Sequence, residues 1–177
     1  AGINRITLAA DTNATGSNVV SVAAYTTGVT IVGSAGVDTI TGGSAADTIT
    51  GGAGADVISA GAGDDILNYA LVGDLFTASG TAIVDTSIAG GTGTDTIKLG
   101  TTGTAAAIVD TYAWTGITGV EKLVYNANTV ALSVDLDSTA YAAGLRTVDL
   151  SAGTAASSNV LDANEITGGG MILIGSA

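Results

Sequence analysis

An all-β fold, a parallel β-solenoid flanked by irregular β modules, is predicted by three features of this sequence. The first is a nine-residue repeat: GSAGVDTIT from Gly33, GGSAADTIT from Gly42, GGAGADVIS from Gly51 and AGAGDDILN from Ala60, with a fifth copy, GGTGTDTIK, from Gly90. The second is its internal order: an Asp at the sixth position and an aliphatic residue two places on (Ile40, Ile49, Ile58, Leu67, Ile97). The third is composition. The chain is 46% hydrophobic, yet only seven of its 177 residues are aromatic, so small and β-branched side chains must fill thin, stacked β layers. Gly supplies 27 residues, about double the usual share, and Pro is absent, so no strand loses a ladder donor.

The elements follow in order. Strands are expected over residues 5–9, 18–24 and 29–32, then one per repeat, then over 121–125, 130–136, 147–150 and 171–174. Each repeat reads as a tight turn followed by a three-residue strand, and two repeats make one coil. The aliphatic residue at position eight points inward and its two neighbours outward. An insertion over 69–89 separates the fourth and fifth copies. The stretch GITGVEKLVY (116–125) is expected to cover one end of the stack, and DSTAYAAGL (137–145) has the cap, Ala-rich body and closing Gly of a short helix. The organisation is therefore a β module over 1–32, a repeat array over 33–98 and a β-rich module over 99–177. A longer period also appears. INRITLAADT aligns with LRTVDLSAGT and TIVGSA with LIGSA, so that Leu8 recurs as Leu150 and Gly33 as Gly175, both 142 residues on. The chain holds one long unit plus the start of another, as a segment of a tandem protein would.

Charge and missing residue types exclude several functions. The net charge is −12, and the four basic residues (Arg5, Lys98, Lys122, Arg146) are scattered singly. Such a chain has no basic patch for nucleic acid, and anionic membranes repel it. No apolar run reaches spanning length, and the opening AGINRITLAA lacks the basic-then-apolar pattern of a signal peptide. With no Cys and no His, there are no disulfides, no soft-metal ligands and no imidazole base for a Ser nucleophile. Asp135 and Asp137, in VDLD, are expected to form a solvated strand edge. The segment is not expected to be an enzyme.

The acidic residues are instead ordered. Between Gly33 and Asn68 stand five carboxylates (Asp38, Asp47, Asp56, Asp64, Asp65) and no Lys or Arg. With two repeats per coil, Asp38 stacks on Asp56 and Asp47 on Asp65. Two carboxylates about 4 Å apart repel by about 1 kcal/mol even in water, and by more in a half-buried turn. The glycines at positions one, two and four permit backbone angles closed to other residues and let carbonyl oxygens point into a common concavity. These are Gly33 and Gly36; Gly42 and Gly43; Gly51, Gly52 and Gly54; Gly61 and Gly63; and Gly90, Gly91 and Gly93. Two stacked carboxylates plus backbone carbonyls offer about six oxygens, the set Ca²⁺ prefers, whereas Mg²⁺ demands a stricter octahedron. Asp95 joins the set in the fifth copy, and Asp85, three residues before Ile88, in an irregular turn. Asp64 sits at a fifth, non-ligand position. The competing reading is a metal-free solenoid whose Asp residues only cap turns.

These repeats resemble the RTX (repeat-in-toxin) nonapeptide, G-G-x-G-x-D-x-U-x. GGAGADVIS and GGTGTDTIK fit at every defined position; the copies from Gly33, Gly42 and Ala60 are imperfect, and Ala45 replaces a fourth-position Gly. The likeness covers 31–68 and 88–98 and implies a right-handed, Ca²⁺-binding parallel β-roll. The wider arrangement, an array ending GDDILN, an insertion, GGTGTD and then GITGVEKL, resembles Ca²⁺-dependent surface-layer proteins of Gram-negative bacteria such as Caulobacter. That resemblance implies type I secretion, folding outside the cell on calcium, placement at the cell surface and self-assembly, with cell-surface polysaccharide as a further partner. The alternatives are a secretion and folding tail of a secreted enzyme, or an adhesin stalk. Ice binding by the outward Thr pairs of TIT (39–41 and 48–50) is a weaker third, because the next copies read VIS, ILN and TIK.

Overall fold

The computed structural model describes residues 2–70, 72–76, 84–100, 106–108, 114–126, 132–151, 160–163, 166 and 169–175. In chain order they carry β1 (Arg5–Thr7), β2 (Ser17–Ser21), β3 (Thr30–Val32), β4 (Val37–Thr41), β5 (Thr48–Thr50), β6 (Val57–Ala62), β7 (Ile66–Tyr69), α1 (Val72–Leu75), β8 (Ser87–Thr92), β9 (Thr96–Leu99), β10 (Ala106–Ile108), β11 (Ile117–Thr118), β12 (Lys122–Tyr125), β13 (Leu132–Asp135), α2 (Ser138–Ala142), β14 (Thr147–Asp149), β15 (Val160–Asp162) and β16 (Ile172–Ile174). Each expected strand outside the array is present in shorter form, that over 18–24 shifted to Ser17–Ser21; residues 130 and 131 of the expected 130–136 strand lie outside the described residues.

Successive repeats give their strands alternately to two sheets. The first sheet runs β1-β3-β5-β7-β9-β12-β14-β16 and the second β11-β8-β6-β4-β2; β10, β13 and β15 form a third. Pairing is parallel in all three, and within the array partners lie two repeats apart: Thr30 opposite Thr48, Thr48 opposite Ile66, Thr39 opposite Val57. One coil is therefore two nonapeptides, as the Asp spacing requires. The insertion lengthens one coil without disturbing register, since Val57 still faces Ser87 and Ile66 still faces Thr96. Inside it, α1 leads to buried Leu75 and Phe76, and the Phe76 ring meets Trp114 edge-on at 5.5 Å.

Alternation also separates the two TIT strands. Thr39 and Thr41 lie on the second sheet, Thr48 and Thr50 on the first, so they face away from each other and form no Thr rank.

The core is two columns of aliphatic side chains. In the first sheet Ile31, Ile49, Leu67, Ile97, Leu123 and Val148 stand in register; in the second, Val20, Ile40, Ile58, Ile88 and Ile117 do. None is more than 8% exposed. The GITGVEKLVY stretch does not cap the stack. Its β11 ends the second sheet, but β12 continues the first between β9 and β14, because Leu123 keeps the inward aliphatic period. The short helix forms as α2, with Asp137 at its N-cap accepting the Thr139 and Ala140 N–H groups and Gly144 (φ 113°) closing it. Asp137 is thus a buried cap rather than half of a strand-edge pair; the Asp135 side chain lies outside the described residues. Among the described residues no helix is long and apolar enough to cross a membrane.

Deleting a rung of either aliphatic column leaves a cavity that the parallel neighbours cannot close. Ile49→Ala is expected to destabilise the calcium-loaded protein by about 2–5 kcal/mol. Its outward neighbour Thr48→Ala is expected to stay within about 0.5 kcal/mol of the parent. Denaturant titrations of both variants check this.

Candidate metal centre

At the mouth of each turn the sixth-position Asp folds inward instead of out to solvent. Asp38, Asp47, Asp56, Asp65 and Asp95 are at most 1% exposed, and Asp85 is 4% exposed. Each of these carboxylates except that of Asp38, which takes the Asn18 side-chain amide instead, accepts a backbone N–H from the coil before it, in two columns. In one, the Asp38 N–H donates to Asp56 Oδ1 (2.8 Å) and the Asp56 N–H to Asp85 Oδ1 (3.0 Å). In the other, the Val29 N–H donates to Asp47 (2.7 Å), Asp47 to Asp65 (2.7 Å), Asp65 to Asp95 (2.8 Å) and Asp95 to Glu121 Oε2 (2.8 Å). The stacking of Asp38 on Asp56 and of Asp47 on Asp65 is as the spacing predicts, and these charge-assisted bonds lock coil to coil.

The second carboxylate oxygen divides the set. Asp38 Oδ2 accepts the Ser34 N–H (2.6 Å) and Asp47 Oδ2 the Gly43 N–H (2.7 Å), each from the second position of its own turn. Asp85 Oδ2 accepts the Tyr69 hydroxyl (2.7 Å). The Oδ2 atoms of Asp56, Asp65 and Asp95 are buried and have no hydrogen-bond donor. Their turns are the ones whose second and fourth glycines have crossed to positive φ: Gly52 and Gly54 (109°, 111°), Gly61 and Gly63 (112°, 120°), Gly91 and Gly93 (111°, 134°). That turn conformation, open to Gly without steric cost, no longer delivers the second-position N–H to the carboxylate.

The first-position glycines answer to a different constraint from the one expected. Gly33, Gly42, Gly51 and Gly90 have ordinary φ, but a Cβ on any of them would strike the Oδ2 of the turn's own Asp. Gly36 likewise has ordinary φ, and a Cβ there would meet the Gly16 carbonyl oxygen. Between coils, carbonyl oxygens occupy the space where a Cβ would stand. Gly61 O and Gly63 O press against Gly91 and Gly93, while Ser34 O and Gly36 O press against Gly52 and Gly54, where no Cβ would fit.

A buried anionic oxygen without a donor costs free energy unless a cation answers it. Among the described residues no three carboxylates converge, so the turns offer few carboxylate oxygens and several carbonyls. Hard, oxygen-only and flexible, that donor set fits Ca²⁺. The turns 60–65 and 90–95 fit best, because they stack directly and both carry the positive-φ glycine pair and an unanswered Oδ2. Asp64, at the fifth position, does take part: its Oδ1 accepts the Thr94 N–H (2.8 Å) and ties these two turns together. Among the described residues the one ion pair, Lys122 with Asp149 (3.8 Å), lies at the partly exposed outer positions of β12 and β14 and offers the columns no counter-charge.

Three further residues extend the columns. Glu121 supplies the last carboxylate of one, and its segment GITGVEKL does carry Gly, Gly, an acid and an aliphatic residue at positions one, four, six and eight of the repeat. Asn18 closes the other, donating from Nδ2 to Asp38 Oδ1 (3.0 Å) and Ser34 Oγ (3.1 Å). Tyr69 answers Asp85 from within the insertion; nothing in the repeat pattern marks it or Asn18.

Burial pushes Asp56 from an ordinary 3.8 up to about 6, with the charges of Asp85 and Asp38 adding to it. Asp95 rises to about 6 for the same first reason, helped by Asp65, Glu121 and Asp64. Asp65 and Asp85 also rise through burial, and burial with the Asp85 charge holds the Tyr69 hydroxyl neutral well above its usual range.

These raised values fix a sign. Between about pH 4 and pH 6 the metal-free folded chain holds more protons at Asp56 and Asp95 than the unfolded chain does, so its stability falls as pH rises through that window. Calcium binds the ionised form and reverses the trend. Thermal melts at pH 4.5 and 7.5 are expected to favour pH 4.5 in chelator and pH 7.5 in calcium. Stoichiometry separates the turns. In calorimetric titration Asp65→Asn and Asp95→Asn are expected to lower the number of ions bound, whereas Asp47→Asn, whose parent oxygens are both met by backbone N–H groups, leaves it unchanged.

Comparison with known proteins converges on the same turns. Residues 30–68 match the family described as the RTX calcium-binding nonapeptide repeat, in four copies. No curated protein matches the chain, and no solved structure does. The copy from Gly90 lies beyond the matched residues, yet Asp95 stands in the same column as Asp47 and Asp65. Residues 30–68 are thus an RTX array, a repeat that indicates a secreted protein, and calcium is the ion its turns bind.

Proposed function

We propose that this chain is a structural, non-catalytic segment of a secreted bacterial surface protein, in which calcium triggers folding and enables assembly into a layer or fibre. One observation carries the reading: the buried carboxylates of Asp56, Asp65 and Asp95 have an oxygen that no protein group answers. A chain built in this way lacks its counter-charge until it meets a calcium-rich exterior. Ordering each residue of the glycine turns costs about 1–2 kcal/mol of backbone entropy, and the thin aliphatic columns alone do not offset that together with the buried charge.

Assembly is supported by the ends of the first sheet. Both β1 and β16 are edge strands, and Ile172, Leu173 and Ile174 are exposed on β16. Free parallel edges with apolar side chains are templates for pairing. Each bound calcium also lowers the net charge of −12 by two and weakens repulsion between copies. The second reading, a secretion and folding tail of a secreted enzyme, rests on the same array but needs no association.

Circular dichroism and light scattering test both parts. In chelator at pH 7.5 the array is expected to be largely disordered and the chain monomeric. Calcium, and far less so magnesium at equal concentration, is expected to bring β structure and oligomers. An unchanged β signal on adding chelator would overturn the folding role. A stable monomer at millimolar calcium and high protein concentration would leave the tail reading standing.

A further inference from the structure

The two ends of the first sheet are the same structure, displaced by 142 residues. In β1–β3, Arg5 faces Thr30, Ile6 faces Ile31 and Thr7 faces Val32; in β14–β16, Thr147 faces Ile172, Val148 faces Leu173 and Asp149 faces Ile174. The flanking hydrogen bonds repeat as well. The Leu8 N–H donates to Val32 O (2.8 Å) and the Leu150 N–H to Ile174 O (2.8 Å); the Thr30 N–H donates to Asn4 O (2.9 Å) and the Ile172 N–H to Arg146 O (2.8 Å).

Burial at the two ends is complementary. Ile31 is 0% exposed because β5 covers it, while its counterpart Leu173 is 47% exposed. Leu145 is 0% exposed, while its counterpart Ile3 is 50% exposed. Each end lacks the neighbour that the other end has. On β3 that neighbour is β5, fixed by the Thr48 N–H to Val29 O (2.9 Å) and by the Gly33 N–H to Thr50 O (2.8 Å). On β16 the matching groups are Met171 C=O and Gly175 N–H.

We infer that β14–β16 is a socket for a second copy of this unit joined in tandem. It serves as that copy's own β1–β3, and the copy's Thr48–Thr50 strand docks on β16 with Thr48 opposite Ile172, Ile49 opposite Leu173 and Thr50 opposite Ile174. The two end pairs are alternatives for one place, so tandem units share it and the sheet runs on without a joint. Each added unit contributes six strands to the first sheet, a rise of about 29 Å at the usual strand spacing of about 4.8 Å. This goes beyond the assembly proposed above, because the socket is filled within one chain and needs no association between chains.

The test is a tandem protein, residues 1–177 followed directly by a second copy of 36–177, so that Gly175 takes the place of Gly33. In calcium, small-angle scattering of this protein is expected to give a maximum dimension about 29 Å longer than that of the single chain, with the same cross-section. Leu173→Asp should leave the melting temperature of the single chain nearly unchanged, since that side chain is exposed there. In the tandem protein the same change should convert the rod into two flexibly linked bodies. A parent tandem that scatters as linked bodies, or precipitates where the single chain folds, would overturn the inference, as would a rod that tolerates Leu173→Asp. A coaxial tandem rod alongside a single chain that stays monomeric would uphold the socket and refute self-assembly.

Discussion

A column of carboxylates enclosed by a β-solenoid is the constraint on which this molecule depends. Peptide groups alone join the coils along the strands, but at the turns the Asp side chain takes over and accepts the N–H of the preceding coil. The same residue therefore sets the register and places a charge where water cannot reach it. Burying ionised groups is unfavourable unless they are paired and fully hydrogen-bonded. With four basic residues in the chain and the Lys122–Asp149 pair at the sheet's outer positions, the pairing charge has to come from outside.

The rungs are not equivalent. Asp38, Asp47 and Asp85 are completed by protein donors (the Ser34 and Gly43 N–H groups and the Tyr69 hydroxyl) and need no cation to satisfy them. Asp56, Asp65 and Asp95 are left incomplete by glycines at positive φ. The difference lies in one backbone rotation at the second position of the turn. Non-Gly Ser34 cannot make it cheaply, and Gly43, in the copy where Ala45 replaces the fourth glycine, does not make it. A degenerate copy thus keeps its place in the column while its carboxylate is met by an N–H of its own turn.

Coil continuation, by contrast, does not require the glycine motif at all. Beyond Asp95 the turns lose most of their glycines, yet Leu123, Val148 and Leu173 extend the line of Ile31, Ile49, Leu67 and Ile97. The inward aliphatic residue is what each added strand must supply, since it alone buries apolar surface against the coil before it. Calcium turns and aliphatic rungs are therefore separable, which is why the solenoid outlasts its repeat.

Periodicity by itself determined the all-β class, the two-repeat coil, the inward aliphatic column and the carboxylate stacking, which follow from a fixed spacing acting on a chain with period-two side chains. Residue chemistry determined the ion, through an oxygen-only donor set in a chain without Cys or His, and local sequence determined the helix α2, through its cap, Ala-rich body and closing Gly. Sequence spacing could not reveal which oxygens remain unanswered, because that turns on the φ of one glycine per turn and on donors from distant residues. Asn18, Tyr69 and Glu121 enter the columns only because the stacking of coils brings residues 16 to 26 positions apart into contact. For the same reason only the tertiary structure separated the two TIT strands onto opposite faces and placed β12 inside the sheet rather than at its end. A local pattern specifies what each coil is made of; the stacking of coils decides which groups are left for calcium.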